Sequence, residues 1–144
     1  MKHGISLIIS FIALFPTMLF AKDCLPTPHR TTGTHYKPVT QQKINISKGV
    51  TVSGVILNSA CQPIANAKVV HWQAGEDGRY ADHLRAYLFT DKNGRYQFET
   101  EWPALIPPHI HFIIDASGFE RLETQWIGKQ RIKEINFDLV LEEK

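Results

Sequence analysis

The sequence predicts an all-β protein, a sandwich of short strands, from three observations. Runs of β-branched and aromatic residues recur along the chain, separated by Gly, Asn, Asp and Pro. No apolar pattern with the 3.6-residue period of a helix continues for three turns. The runs are spaced almost evenly, without an internal repeat or a low-complexity segment. This pattern is typical of a β-sandwich.

Residues 1–21 are predicted to be a signal peptide. Lys2 and His3 precede an apolar stretch from Ile5 to Ala21, which is the order of charges and apolar residues in export signals. The alternative is an uncleaved membrane anchor, but the stretch is short for a membrane span and contains Pro16. We therefore expect a periplasmic or secreted protein that has no membrane segment after the signal is removed.

Residues 22–43 are predicted to form an extended arm, because they are polar, rich in Pro and Thr, and without a helix or strand period. The arm carries Cys24, and the second cysteine is Cys61. In an exported protein an even cysteine count favours a disulfide, Cys24–Cys61, over two free thiols. Residues 44–144 are predicted to be the sandwich domain.

Seven strand segments are predicted after the arm. Between two of them the pair Asn93-Gly94 indicates a hairpin turn, because both residues tolerate positive φ. The predicted segments are Val50–Leu57, Ala67–Ala74, Arg85–Thr90, Arg95–Thr100, His109–Ala116, Arg121–Ile127 and Arg131–Leu141.

Two histidines interrupt the apolar strand that follows a Pro-Pro pair. Alternate side chains of a strand share a face, so His109 and His111 point one way while Ile110 and Phe112 point into the core. Their Cα atoms are about 6.5 to 7 Å apart in a strand, and both rings can reach one metal ion. The alternative is that they are the polar residues of a solvent-facing surface. Spacing alone leaves both interpretations open.

Tyr80 is the candidate third ligand, because it ends a Gly-rich loop directly after a predicted strand. A phenol binds a metal only if the ion is acidic enough to remove its proton, which indicates a hard ion such as Fe(III). Tyr96 lies mid-strand and is predicted to pack. The remaining candidate donors are Tyr36, Tyr87, Glu76, Asp77, Asp82 and Asp91.

Three stretches, "HWQAGEDGRY", "PPHIHF" and "GFERLETQ", occur in this order within a longer similarity from about Cys24 to Trp126. Together they resemble the intradiol ring-cleavage dioxygenases, which include protocatechuate and catechol dioxygenases and small exported relatives. The resemblance implies a prealbumin-like β-sandwich.

The same resemblance implies a non-haem Fe(III) cofactor, with a small aromatic diol and O2 as substrates. The family binds iron through two tyrosinates and two histidines, and the motif matches assign Tyr80, His109 and His111 as metal ligands. Gln125 matches a residue that lines the family's active site, so the resemblance implies a catalytic role for it. The family opens the ring between the two hydroxyl-bearing carbons.

The segment before the histidines departs from the family pattern. The family has its second tyrosinate and an Arg there, whereas this chain has Ala104–Ile106. Tyr36, Tyr87 and His83 are candidates to replace the missing ligand. We expect either an active dioxygenase or a degenerate homologue without ring cleavage. A transthyretin-like binding module would explain the strands but not the joint occurrence of the three motifs.

Charge and composition disfavour other classes of function. The net charge of +2 and the lack of a Lys/Arg cluster predict no nucleic-acid partner. The two cysteines lack the spacing of zinc or redox motifs, and no GxSxG or P-loop motif is present. Arg85 and Arg95 are predicted to be solvated surface charges, although either could steer an anionic substrate.

Overall fold

The computed structural model of the protein describes residues 23–144, so the predicted signal peptide lies outside the described residues. No helix in this range is long and apolar enough to span a membrane. A short 3-10 turn covers Asp82–Leu84. The strands of the described range are β1 (Val50–Leu57), β2 (Lys68–Gln73), β3 (Arg85–Phe89), β4 (Arg95–Thr100), β5 (His109–Asp115), β6 (Leu122–Ile127), β7 (Glu134–Asn136) and β8 (Leu139–Val140).

The strands form two sheets, which confirms the predicted all-β sandwich. One sheet has the order β4-β1-β7, with β8 also pairing with β1, and the other has the order β3-β2-β5-β6. The apolar core lies between them, because alternate residues of each strand point inward. Its fully buried side chains include Val52, Phe98, Ile110, Phe112 and Ile135.

The sheet β3-β2-β5-β6 is buried on both faces. The inner five residues of β5 are all buried, and so are the last five of β2. The buried apolar residues of these strands that point away from the core are Val70, Trp72 and Ile113, and they pack with Val39 of the arm and with two tyrosines. The arm therefore covers the outer face, and this explains why both strands have near-continuous apolar sequences.

The arm is attached to the sandwich along its length. A disulfide joins Cys24 to Cys61, in the loop after β1. The Arg30 N–H donates to a carbonyl of β6 at 2.8 Å, and the Lys43 N–H donates to a carbonyl of β3 at 3.1 Å. These contacts lay the arm across the outer face from β6 to β3.

The prediction of a hairpin at Asn93-Gly94 is wrong. A turn does form there, but β3 pairs with β2 and β4 pairs with β1, so the turn connects the two sheets. The Asp91 carboxylate accepts hydrogen bonds from the N–H groups of Asn93 and Arg95 at 2.8 and 2.9 Å, and Gly94 has a φ of 70°. Because the Asp91 carboxylate accepts the backbone N–H groups of the turn, the turn can form without a hydrogen-bonded ladder between the flanking strands.

The last predicted strand is divided into β7 and β8, which both run parallel to β1. Between them the Asp138 carboxylate accepts the Val55 N–H at 2.8 Å, and the Phe137 carbonyl accepts the Tyr96 hydroxyl at 2.6 Å. These side-chain bonds replace the ladder at that point. Tyr96 is buried in the core and packs as predicted.

A histidine lies inside the apolar core. His71 on β2 is fully buried, and its ring stacks on Phe98 with a centroid separation of 3.6 Å. Neither ring nitrogen has a hydrogen-bond partner among the described residues. Burial lowers the pKa of His71 from 6.5 to about 3, because a charged imidazole would lose its hydration without gaining a partner.

We expect His71 to make the protein less stable in acid. Between pH 6.5 and about 3 the unfolded chain binds a proton there that the folded protein does not. Its contribution to the free energy of unfolding therefore falls by about 1.4 kcal/mol for each pH unit below 6.5. Urea denaturation at pH 7 and pH 5 should show a smaller loss for His71→Leu than for the unmodified protein. His83→Leu, at an exposed position, is the control, and equal losses in all three proteins would contradict this expectation.

Candidate functional site

The loop after β2 carries Tyr80 over the outer face of the sheet. Within the loop the Gly75 N–H donates to the Arg79 carbonyl at 2.9 Å, and the Glu101 carboxylate accepts the Glu76 N–H at 2.9 Å. These bonds close the loop into a compact turn, and Tyr80 follows it half-buried.

The structure brings Tyr80 together with both predicted histidines. Its hydroxyl oxygen lies 2.9 Å from Nε2 of His109 and 3.2 Å from Nε2 of His111. The two imidazole rings stand nearly perpendicular, with centroids 5.0 Å apart. Three donor atoms from a loop and a strand therefore converge on one small region.

The tautomer of His109 is fixed by the backbone. Its Nδ1 lies 2.8 Å from the Pro107 carbonyl, and since a carbonyl can only accept, Nδ1 carries the proton. The Nε2 lone pair therefore faces the Tyr80 hydroxyl. Metal-binding histidines commonly donate their second N–H to a carbonyl or carboxylate in this way.

His111 is held in its neutral form. Burial is the main cause that lowers its pKa from 6.5 to about 4, and the electrostatic effect of the neighbouring His109, His35 and Arg85 acts in the same direction. Its ring stacks on Trp72 with centroids 4.9 Å apart, and its Nδ1 has no hydrogen-bond partner among the described residues. The neutral imidazole is the form that binds metal ions.

Tyr80 also stays neutral without a cation. Burial raises the pKa of its phenol, and the positive charge of Arg85 only partly opposes this. The proton would leave when a metal ion takes its place. The site is therefore a set of neutral polar groups that a cation can convert to a charged ligand set.

The separations of the Tyr80 hydroxyl from the two histidine nitrogens are compatible with one metal ion. Two donors that each lie about 2.0–2.1 Å from an ion, at angles between 90° and tetrahedral, are about 2.9–3.4 Å apart. The two measured separations from the Tyr80 hydroxyl, 2.9 and 3.2 Å, lie in this range. Within residues 23–144 no group of three or more His, Cys, Asp or Glu side chains is placed to hold a metal.

Gln125 lies beside the donors. It is the cross-strand neighbour of His111, and its side-chain amide donates to the carbonyl of Thr31 on the arm. Its observed contact is therefore to the arm that covers the site.

The proposed substitutes for the missing ligand point elsewhere. Tyr36 meets the edge of Trp72, and Tyr87 packs against Phe89. His83 lines a groove between the arm and the 3-10 turn. None of these contacts is with the three donors.

The segment that replaces the family's tyrosinate and arginine does not enter the site. Ile106 is fully exposed and Ala104 is exposed. Leu105 packs near Gly78 of the loop before Tyr80. This segment supplies no donor atom to the three-donor group.

The positions of two neighbours of Tyr80 were not predicted from the sequence. Arg85, predicted to be a solvated charge, is 5% exposed. His35 on the arm stacks on the Tyr80 ring with centroids 4.3 Å apart. The arm has no period from which the direction of a side chain can be predicted, so the sequence contains no signal for His35.

A family model described as "Dioxygenase" matches residues 26–107, which is more than half of the chain. The chain belongs to the intradiol ring-cleavage dioxygenase family. The matched region includes most of the arm and Tyr80 and ends just before His109. The grouping of His109 and His111 with Tyr80 is therefore supported by the distances above and not by the family match.

Curated relatives of the family are larger proteins. A catechol 1,2-dioxygenase of Acinetobacter guillouiae is 31% identical over 52% of this chain. A hydroxyquinol 1,2-dioxygenase of Corynebacterium glutamicum is 36% identical over 51% of it. In both cases the match covers 34% of the relative, so the chain spans about a third of their length.

Two solved structures match the chain over nearly their whole length. The dioxygenase domain of a carbohydrate-binding fusion protein from Streptomyces sp. SirexAA-E has a TM-score of 0.74 and 25% identity, covering 83% of this chain and 99% of that one. An intradiol ring-cleavage dioxygenase from Tetranychus urticae has a TM-score of 0.71 and 20% identity over 83% of this chain and 95% of its own. The second likeness shows the fold alone.

We expect His111 to stay neutral far below the ordinary range in the metal-free protein. Because its pKa is lowered to about 4, the ring gains a proton only as the pH falls through that value. Titration of the ring nitrogens by 15N NMR from pH 8 to pH 4 should show no change for His111 until the lower end. A peptide histidine, with a pKa of about 6.5, is the reference, and an inflection of His111 near that value would contradict the geometry.

Proposed function

We propose that this protein is an intradiol-type dioxygenase with a non-haem ferric ion bound by Tyr80, His109 and His111. The observation that carries the proposal is the approach of the Tyr80 hydroxyl to both Nε2 atoms, at 2.9 and 3.2 Å. The substrate class is a small aromatic diol, as in the relatives that are catechol and hydroxyquinol 1,2-dioxygenases.

A ferric ion at this site would activate a bound diol towards O2, and the phenolate ligand would favour the ferric state. The protein's own part is orientation. The hydrogen bond from His109 Nδ1 to the Pro107 carbonyl aims Nε2 at the site. Trp72 stacks on His111, which keeps water from one face of that ring. Gln125 donates to the arm and so holds the cover of the site in place.

We further infer that the protein works in the periplasm or outside the cell. The disulfide between Cys24 and Cys61 supports this, because disulfides persist in oxidising compartments. The apolar stretch in residues 1–21 supports it as well.

A second candidate function is that of a metal-binding homologue that does not cleave rings. The observation that favours it is the fully exposed Ile106, in the segment where the family has a tyrosinate and an arginine. With one phenolate, the site gives Fe(III) a single negative charge, so the ion would be less neutralised and more easily reduced than in the family's four-ligand sites.

Protein produced with iron should contain the metal and show a visible tyrosinate-to-iron absorption band. Tyr80→Phe should abolish the band and lower the iron content, because it removes the one anionic donor. Metal analysis and a visible spectrum are the measurements. Tyr87→Phe is the matched control, since Tyr87 lies on the same sheet face but packs against Phe89. A colourless protein that iron cannot reconstitute would exclude the iron site, and a band retained in Tyr80→Phe would assign it to another tyrosine.

Iron-loaded protein should consume O2 with at least one of catechol, protocatechuate and hydroxyquinol. One O2 should disappear for each ring opened, because both oxygen atoms enter the product. An oxygen electrode and mass spectrometry of the product measure this, with metal-free protein as the control. If iron-loaded protein consumes no O2 with any of the three diols, the second candidate function replaces the first.

A further inference from the structure

A row of four side chains crosses the outer face of the second sheet. The strand register places Trp72 opposite Arg85 on one side and opposite His111 on the other, and His111 lies opposite Gln125. Residues opposite each other share a face. From edge to edge the row is therefore Arg85, Trp72, His111 and Gln125.

Arm residues 31–36 lie over this row. At one end, the side-chain amide of Gln125 donates to the Thr31 carbonyl. In the middle, Gly33 has a φ of 70° and comes so close that a Cβ there would lie 3.7 Å from Cε1 of His111. This part of the arm thus lies beside the ring of a metal-ligand candidate.

At the other end of the row the arm contacts Tyr80. The His35 imidazole and the Tyr80 phenol are stacked, with centroids 4.3 Å apart and an angle of 8° between the planes. Nη1 of Arg85 donates to the His35 carbonyl at 2.7 Å. The next residue, Tyr36, packs its ring against the edge of Trp72.

We propose that His35 is a positioning residue for Tyr80, and that Arg85 holds His35 in place. This proposal rests on the proposed metal site, because Tyr80 matters only as a ligand. The Tyr80 hydroxyl must point at two Nε2 atoms, and rotation of the Tyr80 side chain about χ1 would move it away. A parallel ring on one face of the phenol restricts that rotation.

The stack of His35 on Tyr80 depends on the hydrogen bond from Arg85 to the His35 carbonyl, here called the anchor. His35 is an exposed residue, so burial contributes little to keeping its ring on the phenol. Arg85 is 5% exposed and its guanidinium bonds to the His35 backbone. A buried side chain on a strand thereby fixes the backbone of an arm residue, and the imidazole follows.

The first test uses metal-free protein and does not require activity. Fluorotyrosine is incorporated, and the Tyr80 signal in the 19F NMR spectrum is assigned with Tyr80→Phe. In His35→Ala the Tyr80 signal should shift and change in width, because the phenol loses its stacked neighbour. In His35→Phe, which keeps a flat ring, the signal should return towards that of the unmodified protein. Thr34→Ala, at an exposed neighbouring arm position, is the control and should leave it unchanged.

The anchor is tested with two Arg85 variants. Arg85→Met removes the donor and should change the Tyr80 signal as His35→Ala does. Because Arg85 is buried, this variant can fail to fold, and Arg85→Gln, which keeps an N–H donor, is the second variant. A folded Arg85→Gln protein that shows the Tyr80 signal of His35→Ala supports the anchor, because the amide N–H lies on a shorter side chain than the guanidinium that donates to the His35 carbonyl. Unchanged signals in both folded variants would overturn the role of Arg85.

The second test uses iron-loaded protein. Stacking between aromatic rings can change an equilibrium about two- to tenfold, so iron should bind His35→Ala about two- to tenfold more weakly. The tyrosinate-to-iron band should move in wavelength, and His35→Phe should restore both properties. If the protein binds no iron, the proposed function fails. The 19F result still shows whether His35 stacks on Tyr80 in the metal-free protein. An unchanged Tyr80 signal together with an unchanged band in His35→Ala would overturn the proposal.

Discussion

Burial of both faces of the sheet β3-β2-β5-β6 is the constraint on which the other features depend. The inner face packs into the core, and the outer face carries Trp72 and Ile113, which must also be covered. The covering element is an arm with little regular structure, tied to the body by the Cys24–Cys61 disulfide. Because the arm lies there, His111 is buried, and Tyr80 and His109 are partly buried on the same face.

Enclosure explains the chemistry of the site. Burial lowers the pKa of His111 to about 4 and raises that of the Tyr80 phenol, so each group is neutral when no metal is bound. Buried polar groups require partners, and Tyr80 is the partner of both histidines. A cation in their midst would be bound by two neutral nitrogens and one phenolate. With the proposed cation bound, the Tyr80 phenolate would be the one anionic donor of the three.

The exposed segment Ala104–Ile106 limits what this site can share with the family. It packs near the Gly-rich loop yet sends no polar atom towards the donors. Arg85 is a buried cation whose charge acts on both Tyr80 and His111. Its guanidinium donates a hydrogen bond to the His35 carbonyl of the arm.

The sequence by itself determined the strands, the sandwich and the face shared by His109 and His111, because these follow from local periodicity. Motif similarity added Tyr80. Only the tertiary structure decided the partners of β3 and β4, since the hydrogen bonds of the Asp91 turn are local and do not specify which strands pair. It also decided the burial of Arg85 and the place of His35. Both depend on how the arm crosses the sheet. The arm sequence has no helix or strand period, so it does not predict the direction in which each side chain points.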